Sequence, residues 1–205
     1  MPSGLLHENK TMNSGKLFEL YSDFNCPFCY ALHERLHEMN LLDRCAWRGV
    51  QHAPYLPRPM TQWQGSLAAE LRREVAVVQR LTSGLPISLP SGKPNTRAAI
   101  EQASRLLSRN QEAGMEFVRR AYRAFWCDGL DLSDSMVLES LVKKAGGEWG
   151  GDHAGDKSSR AIQKWEETWH AAGQAGVPLV VSPTGELIVG CAPAAQIRRF
   201  FDKSS

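Results

Sequence analysis

The sequence predicts an α/β fold in which a mixed sheet is flanked by helices and a helical block separates its two halves. Three observations lead there. An early run reads strand, helix, strand. The next hundred residues carry apolar side chains at helical spacing, and the chain then returns to a strand, a tight turn, a strand and a last helix. A crossover helix implies that the early strands pair in parallel, whereas a hairpin is antiparallel, so only a mixed sheet satisfies both.

Lys16 to Asp23 (KLFELYSD) mixes aromatic and aliphatic residues in partial alternation and runs into Asn25-Cys26-Pro27, a turn with Pro placed to open a helix. From Pro27 to about Leu42 the pattern is helical. At 100° per residue, Phe28, Leu32, Arg35, Leu36 and Met39 fall on the stripe expected to face the sheet. Cys45 to Gln51 reads as a second strand, ended by Pro54, Pro57 and Pro59. Helices are expected over Ser66 to Leu81, Asn95 to Asn110, Gln111 to Cys127, Ser133 to Ala145 and Ser158 to Ala172. Asn95 and Ser133 are candidate N-caps, and Gly129 and Gly146 lie just beyond helix ends. Trp165 and Trp169 share one face of the fifth of these helices. Pro178 to Val181 and Glu186 to Gly190 flank Ser182-Pro183-Thr184-Gly185, a hairpin signal, and a helix from about Pro193 to Asp202 follows.

Composition narrows the function. Lys plus Arg number 24 against 22 Asp plus Glu, without a block of like charge, so nothing calls for nucleic acid or an anionic membrane as partner. No apolar run approaches the roughly 18 residues of a membrane span. Residues 1–15 are polar and rich in Ser and Gly, which predicts a flexible lead. They lack the apolar core of a secretory signal, so the expected location is cytoplasmic. Five Cys are too few for a disulfide-stapled scaffold, and in a reducing compartment a close pair points to catalysis or metal.

That pair is Cys26-Pro27-Phe28-Cys29 at the junction of strand and helix. A thiolate at Cys26 faces unpaired N-terminal backbone N–H groups and the positive end of the helix dipole, and such surroundings lower a thiol pKa from about 8.5 to roughly 3.5–7.5. Cys29, one turn further on, is spaced to attack a mixed disulfide at Cys26 and release the substrate. CxxC also builds half of a zinc site. A closed tetrahedral site needs two more ligands, and Cys45, Cys127 and Cys191 stand alone in sequence, so no metal is expected and these three read as small buried hydrophobes.

A competing motif shares the helix. His33-Glu34-Arg35-Leu36-His37 fits HExxH, the zinc-protease pattern. The wheel places His33 and His37 roughly 100° and 140° from the centre of the apolar stripe, hence on the solvated face, and no further His extends the motif. Glu19 has two readings: a carboxylate pointing into the sheet near the thiols that shuttles a proton, or a solvated strand residue. His52, just past the second strand, either lines the cleft or sits in solvent. At Gly176-Val177-Pro178 a proline at a strand entry occupies an edge or makes a cis turn.

Taken together, CPxC at a helix start, a helical insertion and Val-Pro opening a hairpin resemble the DsbA family of the thioredoxin superfamily, over Lys16 to Phe201. Tyr21-Ser22-Asp23 before the motif, Tyr30 after it, Asn95-Thr96, Ala124-Phe125 and Gly129-Leu130-Asp131 are similar to the FrnE-like and 2-hydroxychromene-2-carboxylate isomerase branch. The resemblance implies a thioredoxin-like domain over 16–62 and 174–205 and a helical insertion domain over 63–173. It implies Cys26 as nucleophile, Cys29 as resolving thiol, and Val177-Pro178 as a cis peptide that presents backbone to an extended substrate beside Pro27 and Phe28.

The expected activity is thiol–disulfide exchange with protein or small-molecule thiols and disulfides, by a monomer or homodimer. It needs no cofactor beyond the redox-active disulfide, with glutathione as a candidate co-substrate. The alternative is a glutathione-dependent isomerase or kappa-class-like transferase, although those relatives usually carry Ser where Cys26 stands. A third reading is a peptide-binding chaperone or zinc-stabilised module. Phe28 stands where DsbA has His, so one source of thiolate stabilisation is missing and a less oxidising couple than DsbA is expected.

Overall fold

The computed structural model describes residues 17–151, 155–173 and 176–203. The expected flexible lead, residues 1–15, lies outside them. Four strands and seven helices are present among the described residues: β1 (Phe18–Ser22), α1 (Pro27–Glu38), β2 (Cys45–Gly49), α2 (Gly65–Leu81), α3 (Arg97–Leu107), α4 (Gln111–Trp126), α5 (Ser135–Lys144), α6 (Asp156–Ala171), β3 (Leu179–Val181), β4 (Leu187–Val189) and α7 (Ala194–Lys203).

The sheet order is β2-β1-β3-β4. β1 runs parallel to β2, with Phe18 beside Cys45 and Ser22 beside Gly49. It runs antiparallel to β3, with Tyr21 opposite Leu179, and β3 pairs antiparallel with β4. This is the expected mixed α/β sheet. The alternation of β1 divides its residues between two packed layers. Phe18 stacks on Phe201 of α7 at 4.1 Å and joins Leu20, Leu32, Leu36, Val180 and Ile197 in the main core. Tyr21 gathers with Val50, Leu179 and Trp169 of α6 in a smaller cluster.

Between β2 and β3 the helices pack mainly on one another: α3 lies against α4, α5, α6 and β2, and α4 also touches α1. Helix ends follow local chemistry. Asn110 caps α4 by accepting from the Ala113 N–H at 3.1 Å. At α5 the cap is Asp134, accepting from Met136 N at 2.8 Å, one residue beyond the expected Ser133. At α3 the capping residue is Thr96, but the predicted Asn95 supplies the oxygen, accepting from Arg97 N at 3.1 Å. Gly129, just past α4, adopts φ +69°, the left-handed turn that ends a helix without a Cβ penalty.

Helix α1 differs from its wheel. Expected to present one apolar stripe to the sheet, it is buried nearly all round because α4 covers its opposite side. His33, expected on the solvated face, is 1% exposed. Glu34 is buried beside it and accepts from Arg119 Nε at 3.1 Å, while His37 alone of the HExxH residues His33, Glu34 and His37 reaches solvent. The strand expected over Cys45 to Gln51 ends at Gly49, because the backbone beyond it turns toward Asp23.

Candidate active site

β1 delivers the chain to a turn that is fixed on three sides. Cys26 N–H donates to Asp23 O at 3.3 Å, Asn25 Nδ2 donates to Pro94 O at 3.0 Å, and the buried Trp126 Nε1 donates to Phe24 O at 2.8 Å. The turn ends at Cys26, which occupies the N-cap of α1 with Pro27 opening the helix. Its carbonyl accepts from the N–H groups of Cys29 and Tyr30. Both thiols are free, Cys26 6% exposed and Cys29 1%. Phe28 is partly exposed between them.

The loop before β3 closes the site from the other side. The Val177–Pro178 peptide is cis, and the Val177 carbonyl accepts from the Cys26 thiol at 3.5 Å. Trp169 Nε1 donates to Gly176 O at 3.2 Å, which ties this loop to α6. Residues 151 positions apart in sequence are thereby brought together.

The two thiols are electrostatically unlike. Cys26 is lowered from the ordinary thiol range, most by a hydrogen bond from Cys29; burial opposes the shift, and the charges of His52 and Lys93 and the Cys29 backbone N–H add to it. Cys29 is raised well above that range by burial and by the adjacent Cys26 sulfur, although Ser22 and the Asp23 N–H, 3.4 Å from its sulfur, pull the other way. Such a pair carries its negative charge on the outer sulfur and keeps a proton on the inner one.

Two residues near the thiols follow from the fold and not from the local pattern. Asp23 is wholly buried. Its Oδ2 accepts from His52 Nδ1 at 2.7 Å and from His52 N at 3.0 Å, and its Oδ1 accepts from Thr96 Oγ1 at 2.6 Å. Lys93, 5% exposed, pairs with Glu74 at 2.8 Å and lies over the Trp63 ring. The sequence leaves His52 either lining the cleft or in solvent, and neither Asp23 nor Lys93 stands out there as part of the site. Asp23 had one local signal, a carboxylate three residues ahead of CPxC; Lys93 had none.

Glu19 is placed away from this group. Its carboxylate accepts from Tyr21 Oη at 2.8 Å and pairs with Arg48 at 3.5 Å. It lines an open depression with Ser182 and Pro183, at the end of β1 opposite the cysteines. The carboxylate wired to the CPFC turn is that of Asp23. Arg35, expected in the apolar stripe, instead spans outward from α1, with Nη1 3.2 Å from Cys191 Sγ and Nη2 2.9 Å from Leu81 O. Cys45 is buried and raised to about 12 by that burial. Among the described residues no group of three or more His, Cys, Asp or Glu is gathered to hold a metal ion, and no helix is long and apolar enough to cross a membrane.

A four-stranded mixed sheet with a Cys-x-x-Cys helix start facing the Val177–Pro178 loop defines a thioredoxin-like protein with a helical insertion. The sequence pattern of the DSBA-like thioredoxin domain matches residues 18–202, and the chain belongs to that family. No curated protein matches it in sequence. Among solved structures it is similar to a candidate protein disulfide isomerase from Nitrosomonas europaea, at 17% identity and TM-score 0.74, covering 91% of this chain and 96% of that one. A 2-hydroxychromene-2-carboxylate isomerase aligns at 15% identity and TM-score 0.70, covering 91% and 95%. The cytosolic disulfide reductase DsbM from Pseudomonas aeruginosa, with GSH, aligns at 18% identity and TM-score 0.66, covering 91% and 98%. At these identities the likeness is one of fold.

Proposed function

We propose that the protein is a thiol–disulfide oxidoreductase in which Cys26 is the nucleophile and Cys29 the resolving thiol. The observation that carries this reading is the geometry of the pair: Cys26 at the N-cap of α1 facing the Val177 carbonyl, and Cys29 buried one turn behind it, an arrangement that lowers the first thiol and raises the second. In the reducing direction the Cys26 thiolate attacks a substrate disulfide, forming a Cys26–substrate S–S bond and expelling the other substrate sulfur as a thiolate that takes a proton from solvent. Cys29 then gives up its proton and attacks Cys26, and the second substrate thiol leaves. Two electrons pass to the substrate, and the Cys26–Cys29 disulfide is reduced again by two thiols such as glutathione. Pro27, Phe28, Val177 and Pro178 surround the attacking sulfur and are the substrate-contacting residues of this reading, with Val177 contributing a backbone carbonyl there.

Glutathione as the thiol partner is supported by the likeness to DsbM, which was solved with GSH, and a disulfide reductase of the cytosol is the matching role. A glutathione-dependent isomerase is the second reading, favoured by the likeness to the 2-hydroxychromene-2-carboxylate isomerase. Insulin reduction with glutathione as electron donor separates them. The oxidoreductase reading predicts turnover by the native protein, none by Cys26→Ser, and a trapped mixed disulfide with Cys29→Ser. Absence of insulin reduction together with retention on glutathione resin overturns it in favour of the isomerase.

A further inference from the structure

The CPFC dipeptide brings no cation to the thiolate, since neither Pro27 nor Phe28 carries charge. The fold supplies one from elsewhere. Asp23 links three groups at once: its carbonyl oxygen accepts from the Cys26 N–H, its own N–H points at Cys29 Sγ, and its carboxylate takes both the ring Nδ1 and the backbone N–H of His52. Thr96 occupies the other carboxylate oxygen. With Nδ1 donating to Asp23, the ring orientation is fixed and Nε2 is left to take up a proton. The imidazole is only about one quarter exposed, so its charge is weakly screened.

We infer that His52, oriented by the buried Asp23, is the positioning residue that holds Cys26 as a thiolate, replacing the basic side chain absent from the dipeptide. This deepens the thiol–disulfide reading and rests on it. The proton that leaves Cys26 is matched by the one on His52, giving a thiolate and an imidazolium linked through Asp23, whose carbonyl oxygen takes the Cys26 N–H and whose carboxylate takes His52 Nδ1. Electrostatics agree in both directions. Burial draws His52 downward, but the hydrogen bond and charge of Asp23 and the charge of Cys26 outweigh it and leave the imidazole raised. Cys29 keeps its proton. Lys93, paired with Glu74, adds a smaller pull to the lowering of Cys26 and opposes the charge on His52. Cys191, beside Arg35 in the loop after β4, is raised by burial.

The test follows Cys26 alkylation by iodoacetamide from pH 5 to pH 9, read at that residue by mass spectrometry, in the native chain, His52→Gln and His52→Lys. Below its pKa a thiol loses about tenfold in thiolate fraction for each unit its pKa rises. The expected result is a rate at pH 6 reduced about tenfold in His52→Gln, no change at pH 9, and substantial recovery in His52→Lys, which keeps a cation there. Asp23→Asn is expected to move the profile the same way as His52→Gln. Profiles of native protein and His52→Gln that superimpose overturn the inference while leaving the oxidoreductase reading intact. A native chain that never forms the Cys26–Cys29 disulfide overturns that reading instead, and the alkylation profile still reports on His52.

Discussion

Replacing His33 with leucine is expected to remove most of one pH-dependent loss of stability. The imidazole is 1% exposed, neither ring nitrogen has a hydrogen-bond partner, and its ring sits 5.2 Å from that of Tyr122. Burial, with the charges of Arg119 and His37, lowers its pKa from 6.5 to about 3. The folded-state value is therefore the depressed one. Between roughly pH 6.5 and pH 3 the unfolded chain binds a proton that the folded chain refuses, so stability falls as pH falls through that window and is recovered above it.

From pH 7 to pH 4.5 the two pKa values give a loss of about 2.5 kcal/mol from this single side chain. A leucine side chain at this position has no such linkage, and at pH 7 it leaves no unpaired buried nitrogen. Urea unfolding of both proteins at pH 7 and pH 4.5 measures the difference directly. The native protein is predicted to lose about 2.5 kcal/mol more than His33→Leu between the two conditions. Equal losses would refute the claim that His33 is buried in its neutral form.

Three further substitutions probe how the site is held. Trp126→Phe removes the donor to the Phe24 carbonyl and opens space beside it, which is expected to cost about 2–4 kcal/mol in urea unfolding, and an unchanged midpoint would contradict the anchoring role of this bond. Gly49→Ala would bring a Cβ within 2.5 Å of the Trp47 ring and 2.7 Å of Ile100 Cγ2, so a loss of about 1–3 kcal/mol is expected by the same measurement, with no loss contradicting the close approach. Glu19→Gln is expected to leave Cys26 alkylation at pH 6 unchanged, because its partners are Tyr21 and Arg48; a slower reaction would return Glu19 to the site.

Much of the fold was legible because it rests on local signals. Pro27 after Asn25-Cys26, the Ser182 to Gly185 turn and the glycines at 129 and 146 mark boundaries that the structure keeps within a few residues. The Cys26 and Cys29 pair was legible for the same reason, since strand end, N-cap and helix start are contiguous. What a single-helix wheel could not show is a second neighbour. His33 and Glu34 lie opposite the sheet-facing stripe, but α4 arrives there from more than eighty residues away and carries Arg119 with it. His52 and Asp23 likewise meet only because parallel pairing of β1 with β2 places the ends of the two strands side by side. The two readings of Glu19 stayed open for the complementary reason: its alternation was visible, but not that its partners are Tyr21 and Arg48 at the end of β1 remote from the thiols.

Whether Cys26 and Cys29 form a working dithiol is decided by a redox titration against glutathione, with acid trapping and mass spectrometry of the alkylated peptides. Both residues are predicted to change state together, at one midpoint more reducing than the roughly −120 mV of DsbA: His52 supplies the cation that the dipeptide lacks, but burial of the Cys26 sulfur opposes the thiolate. A midpoint at or above that value contradicts the reducing assignment. If the two residues never join, or Cys26 forms only a glutathione adduct, the dithiol itself is contradicted.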